Sequence, residues 1–379
     1  MSPTLLIFVS DLSSLISHRL AVVLSAKEFG YRVKVLFGEP GNTDLAYLAA
    51  RGIECVRVQM RRGGINPFVE LASFFSVWQQ FRKLRPEIVH LVTIKPYLYG
   101  GLAARLTGIP AVVSAVTGLG SMFIRLDWRS RLFRALIIPL YRFALRHPNQ
   151  LVIFQNQDDA DELISWGVLE QRKVRLLKGS GVNLAQFTRV DEPNGIPIIC
   201  FAARLIRDKG VYDLVSAARL LRGRGIQARF WLAGDSDREN PTGLAEQELQ
   251  ALREEGVVEF LGYQKDIPDL YAQSHIVCLP SYREGLPKAL AEAAAASRAI
   301  VTTDVPGCRD AIIPNVSGLL VPVNNPEKLA DALQWLIEHP KERIAMGRAG
   351  RKLAEREFSI EKIVRGHLDV YQELLDNLP

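Results

Sequence analysis

Short hydrophobic runs without polar alternation recur along the chain, and longer segments with helical spacing separate them. Such runs are typical of strands that helices cover on both faces, as in parallel sheets. They fall into two series, at residues 5–9, 33–37, 88–92, 111–115 and 151–154, and then at residues 198–201, 230–233, 258–261, 276–279 and 299–302. The pattern predicts an α/β protein with two doubly wound, Rossmann-like domains.

A segment rich in turn formers, residues 190–197, separates the two series and predicts a linker. We therefore expect a first domain over residues 1–189 and a second over residues 190–355. Residues 356–379 have helical spacing, and we expect this helix to cross back to the first domain. Because ligands of doubly wound sheets bind at the carboxyl ends of the strands, the active site is expected in a cleft between two facing domains.

Composition adds an uneven distribution of charge to this picture. With 379 residues, 48% of them hydrophobic and 23% charged, the chain has the composition of a soluble globular protein. Residues 1–189 hold 24 Lys and Arg against 13 Asp and Glu, a balance of +11, and the remaining residues hold 23 against 28, a balance of −5. An anionic partner is therefore expected on the first domain.

Signals of the cellular compartment favour the cytoplasm. The four cysteines are far apart and form no C-x-x-C pair, which predicts reduced thiols and neither a disulfide framework nor a zinc site. The first residues form no basic leader, and no hydrophobic run reaches the roughly 20 residues of a membrane span.

Two glutamates, Glu284 and Glu292, flank a predicted helix start. Pro287 suits the first helical position, and the alanine-rich segment that begins at Lys288 favours a helix. Glu284 would lie in the loop and Glu292 inside the helix, so each carboxylate can meet a different part of an extended ligand. Since helix N-termini bind phosphate, the pattern indicates a nucleotide-sugar site; two solvated surface glutamates are the alternative.

Cationic side chains follow the first strand of the second domain. Arg204 and Lys209 lie in a loop before a helix expected at about Val211, where they can neutralise a pyrophosphate. A solvated basic loop is the alternative. Turn residues, among them Gly234 and those around Gln264, follow other strands and would lie on the same rim.

Two competing nucleotide-binding motifs are missing. The dinucleotide fingerprint G-x-G-x-x-G does not follow the first strand, where the chain reads Asp11-Leu-Ser-Ser-Leu-Ile-Ser-His18, and no P-loop G-x-x-x-x-G-K-[ST] occurs. Both observations argue against a dehydrogenase or a P-loop NTPase.

Arg204, Lys209, Glu284 and Glu292, with the E-x7-E spacing, resemble the donor site of the retaining GT-B glycosyltransferases of family 4. Further similar segments are residues 232–241, 279–288, 303–310 and 315–322. In the first domain, the segments that resemble the subgroup adding an N-acetylhexosamine to undecaprenyl-diphosphate-linked sugars, such as N-acetylgalactosaminyltransferases, are residues 93–100, 117–121 and 154–159.

This resemblance implies roles at the donor site. Arg204 and Lys209 would hold the donor diphosphate and stabilise the leaving nucleotide, in place of a metal ion, so no metal or other cofactor is expected. Glu284 would contact the donor sugar, which makes these three residues the catalytic set, and Glu292 would bind the ribose hydroxyls. The other donor-binding residues are expected to be Gly234, Gln264, Gly285, Leu286, Pro287 and Lys288.

Acceptor-binding residues are expected on the first domain. His18 and Arg19 follow on the first helix and can face an acceptor, although a helix-surface or capping histidine is the alternative for His18. Lys95, Thr117 and Gly118 belong to the segments that resemble the undecaprenyl-diphosphate subgroup.

A basic, hydrophobic segment, residues 121–147, carries six arginines and one acid. It can lie on an anionic membrane surface or accept a lipid diphosphate; the alternative is an amphipathic helix packed on its own domain and interrupted by Pro139. Arg61 and Arg62 form a second basic patch. Nucleic acid is not expected as a partner, because no recognition-helix or zinc-ligand pattern accompanies the charge.

The sequence thus predicts a cytoplasmic glycosyltransferase, peripheral on the inner face of the plasma membrane, in surface glycan biosynthesis. It would move a sugar, expected to be an N-acetylhexosamine, from a UDP-sugar to a polyprenyl-diphosphate-linked saccharide. Two alternatives stay open: the same fold with a GDP-sugar donor or a soluble acceptor, and a non-catalytic regulatory protein that binds nucleotide sugars.

Overall fold

The computed structural model describes residues 2–41, 45–60, 66–119, 128–188, 191–237 and 240–378, and the side chains of residues 128–136 lie outside this description. The chain forms two compact units, the first with residues Met1–Ser180 and Glu361–Pro379 and the second with Gly181–Ile360. The prediction of two doubly wound domains is confirmed. The boundary between the units lies earlier than the predicted linker, whose first residue, Val190, is outside the described residues.

The described part of the first unit contains one parallel sheet, with strand order β3-β2-β1-β4-β5-β6-β7. Its strands are β1 (Thr4–Asp11), β2 (Arg32–Glu39), β3 (Glu54–Arg57), β4 (Ile88–Val92), β5 (Ala111–Val116), β6 (Gln150–Phe154) and β7 (Val174–Leu176). Its helices are α1 (Leu12–His18), α2 (Leu20–Glu28), α3 (Leu45–Ala49), α4 (Pro67–Leu84), α5 (Ile94–Thr107), α6 (Trp128–Leu145) and α7 (Gln157–Ser165), together with the C-terminal α14 (Ile360–Asp376). Every residue of β4, β5 and β6 is buried, as expected of strands with helices on both faces.

The described part of the second unit repeats this order in a sheet β10-β9-β8-β11-β12-β13. Its strands are β8 (Ile198–Ala202), β9 (Arg229–Ala233), β10 (Glu259–Gly262), β11 (Ile276–Leu279), β12 (Ala299–Thr303) and β13 (Gly318–Val321). Its helices are α8 (Val211–Gly223), α9 (Glu246–Glu255), α10 (Ile267–Ala272), α11 (Lys288–Ala295), α12 (Pro326–Glu338) and α13 (Pro340–Leu353). Helix α8 begins at Val211, as predicted.

The C-terminal helix α14 packs within the first unit. Val370, Tyr371 and Leu374 lie in a hydrophobic core with the buried residues on one face of β1 and β2. The side-chain amide of Asn149 donates a hydrogen bond to the Leu374 carbonyl at 2.9 Å. Helix α14 is therefore part of the first unit's core, although the chain reaches it only after completing the second unit.

Candidate active site

The predicted donor-site residues follow the strands of the second unit at one edge of its sheet. Because the described strand pairs are parallel, the loops after β8, β9, β10 and β11 all start at the carboxyl ends of the strands. These loops carry Arg204 and Lys209, Gly234, Gln264 and Glu284, in that order. The fold thus places residues that are up to 80 positions apart on one rim.

Lys209 and Glu284 form an ion pair on this rim. The Lys209 ammonium group contacts Glu284 Oε1, and the exposed fractions of the two side chains are only 18% and 13%. The Ser281 hydroxyl lies 2.6 Å from the same carboxylate oxygen. One carboxylate oxygen therefore accepts from an ammonium group and a hydroxyl group, and these two contacts fix its position.

Ser281 and Tyr282 connect the loop that precedes α11 to the loop that carries Lys209. The Ser281 hydroxyl also lies 3.0 Å from the Asp208 carbonyl, but a hydroxyl group has one proton to donate. The Tyr282 N–H already donates to that carbonyl at 2.9 Å. The Ser281 proton is therefore available to the Glu284 carboxylate, and fully buried Ser281 holds Glu284 in place.

A buried carboxylate anchors the side chain of Tyr282. The Tyr282 hydroxyl donates a hydrogen bond to Asp213 on α8, and the backbone of Asn324 also bonds to this carboxylate. Burial raises the pKa of Asp213, and the two hydrogen bonds oppose that rise. Burial, with the Asp213 charge, raises the pKa of Tyr282 to about 12. Tyr282 is thus a neutral donor that fixes its loop to α8.

Glu292 lies one helical turn after Lys288 on α11. Their charged groups are 3.3 Å apart, and the exposed fraction of the Glu292 side chain is 14%. Burial raises the pKa of Glu292, and the Lys288 charge opposes that rise. Pro287 was predicted to be the first residue of this helix. Helix α11 instead begins at Lys288, and Pro287 is the residue just before it.

Arg204 contacts an aspartate that the sequence patterns did not single out. Its Nη1 lies 2.5 Å from Asp237 Oδ2, and nearly half of the Arg204 side chain stays exposed. A guanidinium group has five N–H donors, so this contact leaves Arg204 able to bind an anion as well. The neighbouring Arg207 instead pairs with Glu248 on α9.

Glycines bring the backbones of these loops close together. A Cβ atom on Gly234 would lie 2.0 Å from the Ala203 carbonyl oxygen, and one on Gly307 would lie 2.3 Å from the Gly285 carbonyl oxygen. Both glycines have positive φ angles, of 141° and 78°. Close approach of this kind needs glycine. Leu286, beside Gly285, is buried.

Gln264 was expected among the donor-binding residues. Its side-chain amide donates to the Leu261 carbonyl at 2.7 Å, which turns the amide towards its own loop. This bond leaves the main chain around Gln264 as the part of the loop for a donor contact.

The five predicted acceptor residues lie in the first unit at different depths. His18 is exposed at the end of α1, with Nδ1 3.2 Å from the Ser180 hydroxyl. Arg19 is almost fully buried, and burial lowers its pKa to about 10. The expectation that Arg19 faces an acceptor therefore conflicts with its burial. Thr117 and Gly118 follow β5 and are partly exposed.

Lys95 lies in the first turn of α5, next to a strained residue. Its ammonium group is 2.8 Å from Glu70 Oε1 on α4, and the Tyr99 hydroxyl donates to the other Glu70 oxygen.

Thr93, just before α5, has a φ of 75°, a conformation that a β-branched residue rarely adopts. Its hydroxyl lies 3.0 Å from that of Ser10 at the end of β1.

The basic segment at residues 121–147 is described only in part. The described residues do not include 121–127, which contain Arg125, or the second basic patch, Arg61 and Arg62. The side chains of Arg129, Arg131 and Arg134 are also outside the description. Helix α6 runs through Pro139, which therefore does not interrupt it. Arg142 and Arg146 donate to the Trp166 and Gly167 carbonyls at 2.7 and 2.6 Å, so these two arginines contact their own unit. None of the helices in the described part of the chain has the length and hydrophobicity needed to cross a bilayer.

Comparison with known proteins places these observations in a family. The model described as "Glycosyl transferase 4-like" matches residues 6–156, and "Glycosyl transferases group 1" matches residues 184–353. The N,N'-diacetylbacillosaminyl-diphospho-undecaprenol alpha-1,3-N-acetylgalactosaminyltransferase of Campylobacter jejuni is 28% identical over 98% of this chain and 99% of its own length. The chain belongs to the GT-B glycosyltransferases of family 4.

Other relatives of this family 4 glycosyltransferase agree with the assignment. The UDP-Gal:alpha-D-GlcNAc-diphosphoundecaprenol alpha-1,3-galactosyltransferase of Escherichia coli is 23% identical over 83% of this chain and 82% of its own length. The crystal structure of Anabaena HepE with UDP-glucose has a TM-score of 0.75 at 18% identity, covering 99% of this chain and 100% of that one, and supports the fold. The GT-B and enzyme predictions are confirmed, against the alternative of a non-catalytic protein.

Proposed function

We propose that this glycosyltransferase moves an N-acetylhexosamine from a UDP-sugar to a polyprenyl-diphosphate-linked saccharide, with retention of configuration and without a metal ion. The observation that carries the donor half is the ion pair of Lys209 with Glu284, on the rim that also holds Arg204 and the start of α11. The acceptor half is supported by the C. jejuni and E. coli relatives, whose acceptors are diphospho-undecaprenol sugars.

The charge on the rim suits departure of a nucleoside diphosphate. When the bond between the anomeric carbon and the β-phosphate oxygen breaks, negative charge collects on the diphosphate. Lys209 has three N–H donors, and its contact with Glu284 uses one, so it can bind phosphate while the pair persists. Fixed cations that meet developing charge lower the barrier to reaction, and Arg204 contributes in the same way.

Glu284 orients the donor sugar in this proposal. Its contacts with Lys209 and Ser281 hold the carboxylate beside the place where the diphosphate ends and the sugar begins. Glu292, farther along α11, accepts hydrogen bonds from the ribose hydroxyls. We place the enzyme on the inner face of the plasma membrane, where a lipid-linked acceptor of a surface glycan is reached from the cytoplasm.

The test of the phosphate-binding role compares two neighbouring cations. Lys209→Ala should weaken UDP binding by about tenfold to a hundredfold and leave uridine binding nearly unchanged, because one charge-assisted contact to phosphate is lost. Arg207→Ala is the matched control, since Arg207 pairs with Glu248, and it should leave both affinities unchanged. Titration calorimetry measures both ligands. Equal losses for UDP and uridine in Lys209→Ala would rule out the phosphate role.

Turnover and donor identity are tested on the same protein. UDP release from a panel of UDP- and GDP-sugars, with undecaprenyl-diphosphate-linked acceptors, should be greatest with a UDP-N-acetylhexosamine and should persist in EDTA. Glu284→Ala should abolish most of this release while UDP affinity stays within a few-fold of normal. Release with a GDP-sugar alone, or complete loss of activity in EDTA, would contradict the proposal.

A further inference from the structure

Helix α4 of the first unit exposes a hydrophobic stripe to solvent. The exposed fractions of Phe68, Leu71 and Phe75 are 84%, 54% and 49%. Spacings of three and four residues place them on one face of the helix, while Val77 and Phe81 on another face are fully buried. At about 1.5 Å per residue, the stripe is about 10 Å long. Side chains of this size seldom stay exposed together in a soluble protein unless they contact something.

Cationic side chains follow the hydrophobic stripe along α4, and the acidic side chain of this helix lies on another face. Arg82 and Lys83 are exposed in the last turn of α4. Glu70 is the one acid in α4, and it contacts Lys95 and Tyr99 on α5. The outer face of α4 therefore presents hydrophobic groups at one end and cations at the other, without an acid.

Aromatic side chains connect the two ends of the stripe. Phe75 makes edge contacts with Phe74 and Trp78, with ring centroids 5.7 and 6.3 Å apart. The Arg82 guanidinium carbon lies 4.8 Å from the centre of the Trp78 ring. Phenylalanine, tryptophan and arginine in this order are suited to the boundary between acyl chains and lipid headgroups.

We propose that α4 docks on an anionic lipid bilayer, with Phe68, Leu71 and Phe75 at the acyl boundary and Arg82 and Lys83 at the lipid phosphates. A bilayer fits this face because cations border the stripe and its one acid is engaged elsewhere, which gives it charge complementary to anionic lipid. The inference rests on the proposed function, since a lipid-linked acceptor requires the enzyme at a membrane.

The same helix connects this surface to a predicted acceptor residue. Glu70 lies between Phe68 and Leu71 in the sequence and binds Lys95 at 2.8 Å. Helical spacing puts Glu70 on the face of α4 away from the stripe, so the width of the helix, about 10 Å, separates a bilayer on the stripe from Lys95. The proposed docking surface is thus α4, which packs against α5, the helix that carries Lys95.

Vesicle binding by the full-length protein tests the docking surface. The triple variant Phe68→Ser, Leu71→Ser, Phe75→Ser should bind vesicles of phosphatidylcholine with phosphatidylglycerol at least about tenfold more weakly than the wild type. The control Ile196→Ser, Val316→Ser, Val323→Ser removes three exposed hydrophobic side chains from the second unit and should bind normally. Both variants should fold and unfold cooperatively with similar Tm values, because each replaces three partly exposed hydrophobic side chains. Wild-type binding by the triple variant would overturn the proposal.

Two further measurements distinguish docking on a bilayer from docking on a second protein. They are vesicle binding by a charge variant and the molecular mass of the protein in solution. Arg82→Ser with Lys83→Ser should reduce binding to anionic vesicles several-fold and remove much of its dependence on salt. If the stripe instead joins two copies of the chain, the wild type will be a dimer without lipid and the triple variant a monomer, which would refute bilayer docking.

Activity measurements distinguish failure of this inference from failure of the proposed function. The triple variant should release UDP normally with a water-soluble, short-chain acceptor and at least several-fold more slowly with an undecaprenyl acceptor in vesicles. Equal rates with the vesicle acceptor would overturn the docking role. If instead the wild type is inactive with every lipid-linked acceptor while vesicle binding depends on the stripe, the proposed function fails and the docking surface stands.

Discussion

Glu292 is a largely buried carboxylate among the alanines of α11, at the proposed donor site. Burial raises its pKa, and Lys288, at 3.3 Å, compensates only in part. An acid whose pKa is higher in the folded than in the unfolded protein loses stability as the pH rises through the folded value. The loss begins as the pH rises above the ordinary glutamate pKa of 4.5. Glu292 is thus expected to be kept for its hydrogen bonds to ligand at a cost in stability.

Replacement of Glu292 by glutamine should therefore separate stability from binding. Glu292→Gln should raise the Tm at pH 7 by about 1–3 °C, because the buried charge is removed, and should weaken UDP binding by about tenfold. The gain in Tm should shrink as the pH falls towards the ordinary glutamate pKa of 4.5. Calorimetry and UDP titration measure both effects, and Glu342→Gln, on the exposed face of α13, is the control. A lower Tm for Glu292→Gln at pH 7 would contradict this account.

The sequence predicted the chemically distinctive side chains of the rim and missed those that hold them. Glu284, Lys209 and Glu292 stand out because their spacing and charge match a ligand. Ser281 and Asp237 do not, since a buried hydroxyl or a loop aspartate acquires its role only from partners 3 and 33 residues away. Such contacts depend on how loops meet, which hydrophobic spacing does not encode.

Two loops at the carboxyl edge of the second sheet meet at Gly210, the residue just before α8. Its φ is 73°, and a Cβ atom there would lie 2.1 Å from the Pro280 carbonyl oxygen. Gly225, with a φ of 76°, has nothing within 4 Å of the same position. The two glycines have similar φ angles, but only Gly210 has another loop against its Cβ position. Substitutions at the two positions therefore distinguish the cost of backbone strain from the cost of displacing the neighbouring loop.

Alanine at these two positions should therefore have unequal effects. Gly225→Ala should lower the free energy of unfolding by about 1–2 kcal/mol, because only the left-handed conformation is penalised. Gly210→Ala should lower it by about 2–5 kcal/mol, since displacement of Pro280 is added, and should also weaken UDP binding by moving Lys209. Thermal unfolding with and without UDP measures this difference. Equal destabilisation with intact UDP binding would show that the loops tolerate separation.

Nine of the ten predicted strands are interior strands of the two sheets, and the tenth, β10, is a short edge strand. The three missed strands of the described chain are all short edge strands. Burial on both faces gives β4, β5 and β6 continuous hydrophobic sequences that stand out in the chain. β3, β7 and β13 have three or four residues each and lie at sheet edges, and β3 and β7 include charged side chains. Their pairing depends on the neighbouring strand more than on their own sequence.

Each unit has its own core, and the chain returns to the first unit only at its end. Val370, Tyr371 and Leu374 on α14 complete the first core, while the donor-site residues belong to the second unit. A ligand that binds one unit stabilises that unit alone when the two unfold separately. We therefore expect two thermal transitions, of which only the one for the second unit should move to higher temperature with UDP.

Leucine-to-alanine changes in the two cores should identify these transitions. Leu374 on α14 and Leu333 on α12 are both almost completely buried, so each truncation should cost its own unit about 2–5 kcal/mol. Leu333→Ala should lower the transition that responds to UDP, and Leu374→Ala should lower the other while UDP affinity stays normal. Differential scanning calorimetry at several UDP concentrations resolves both transitions. If both variants lower the same transition, the two units unfold as one, and α14 would then stabilise the donor site as well as the first core.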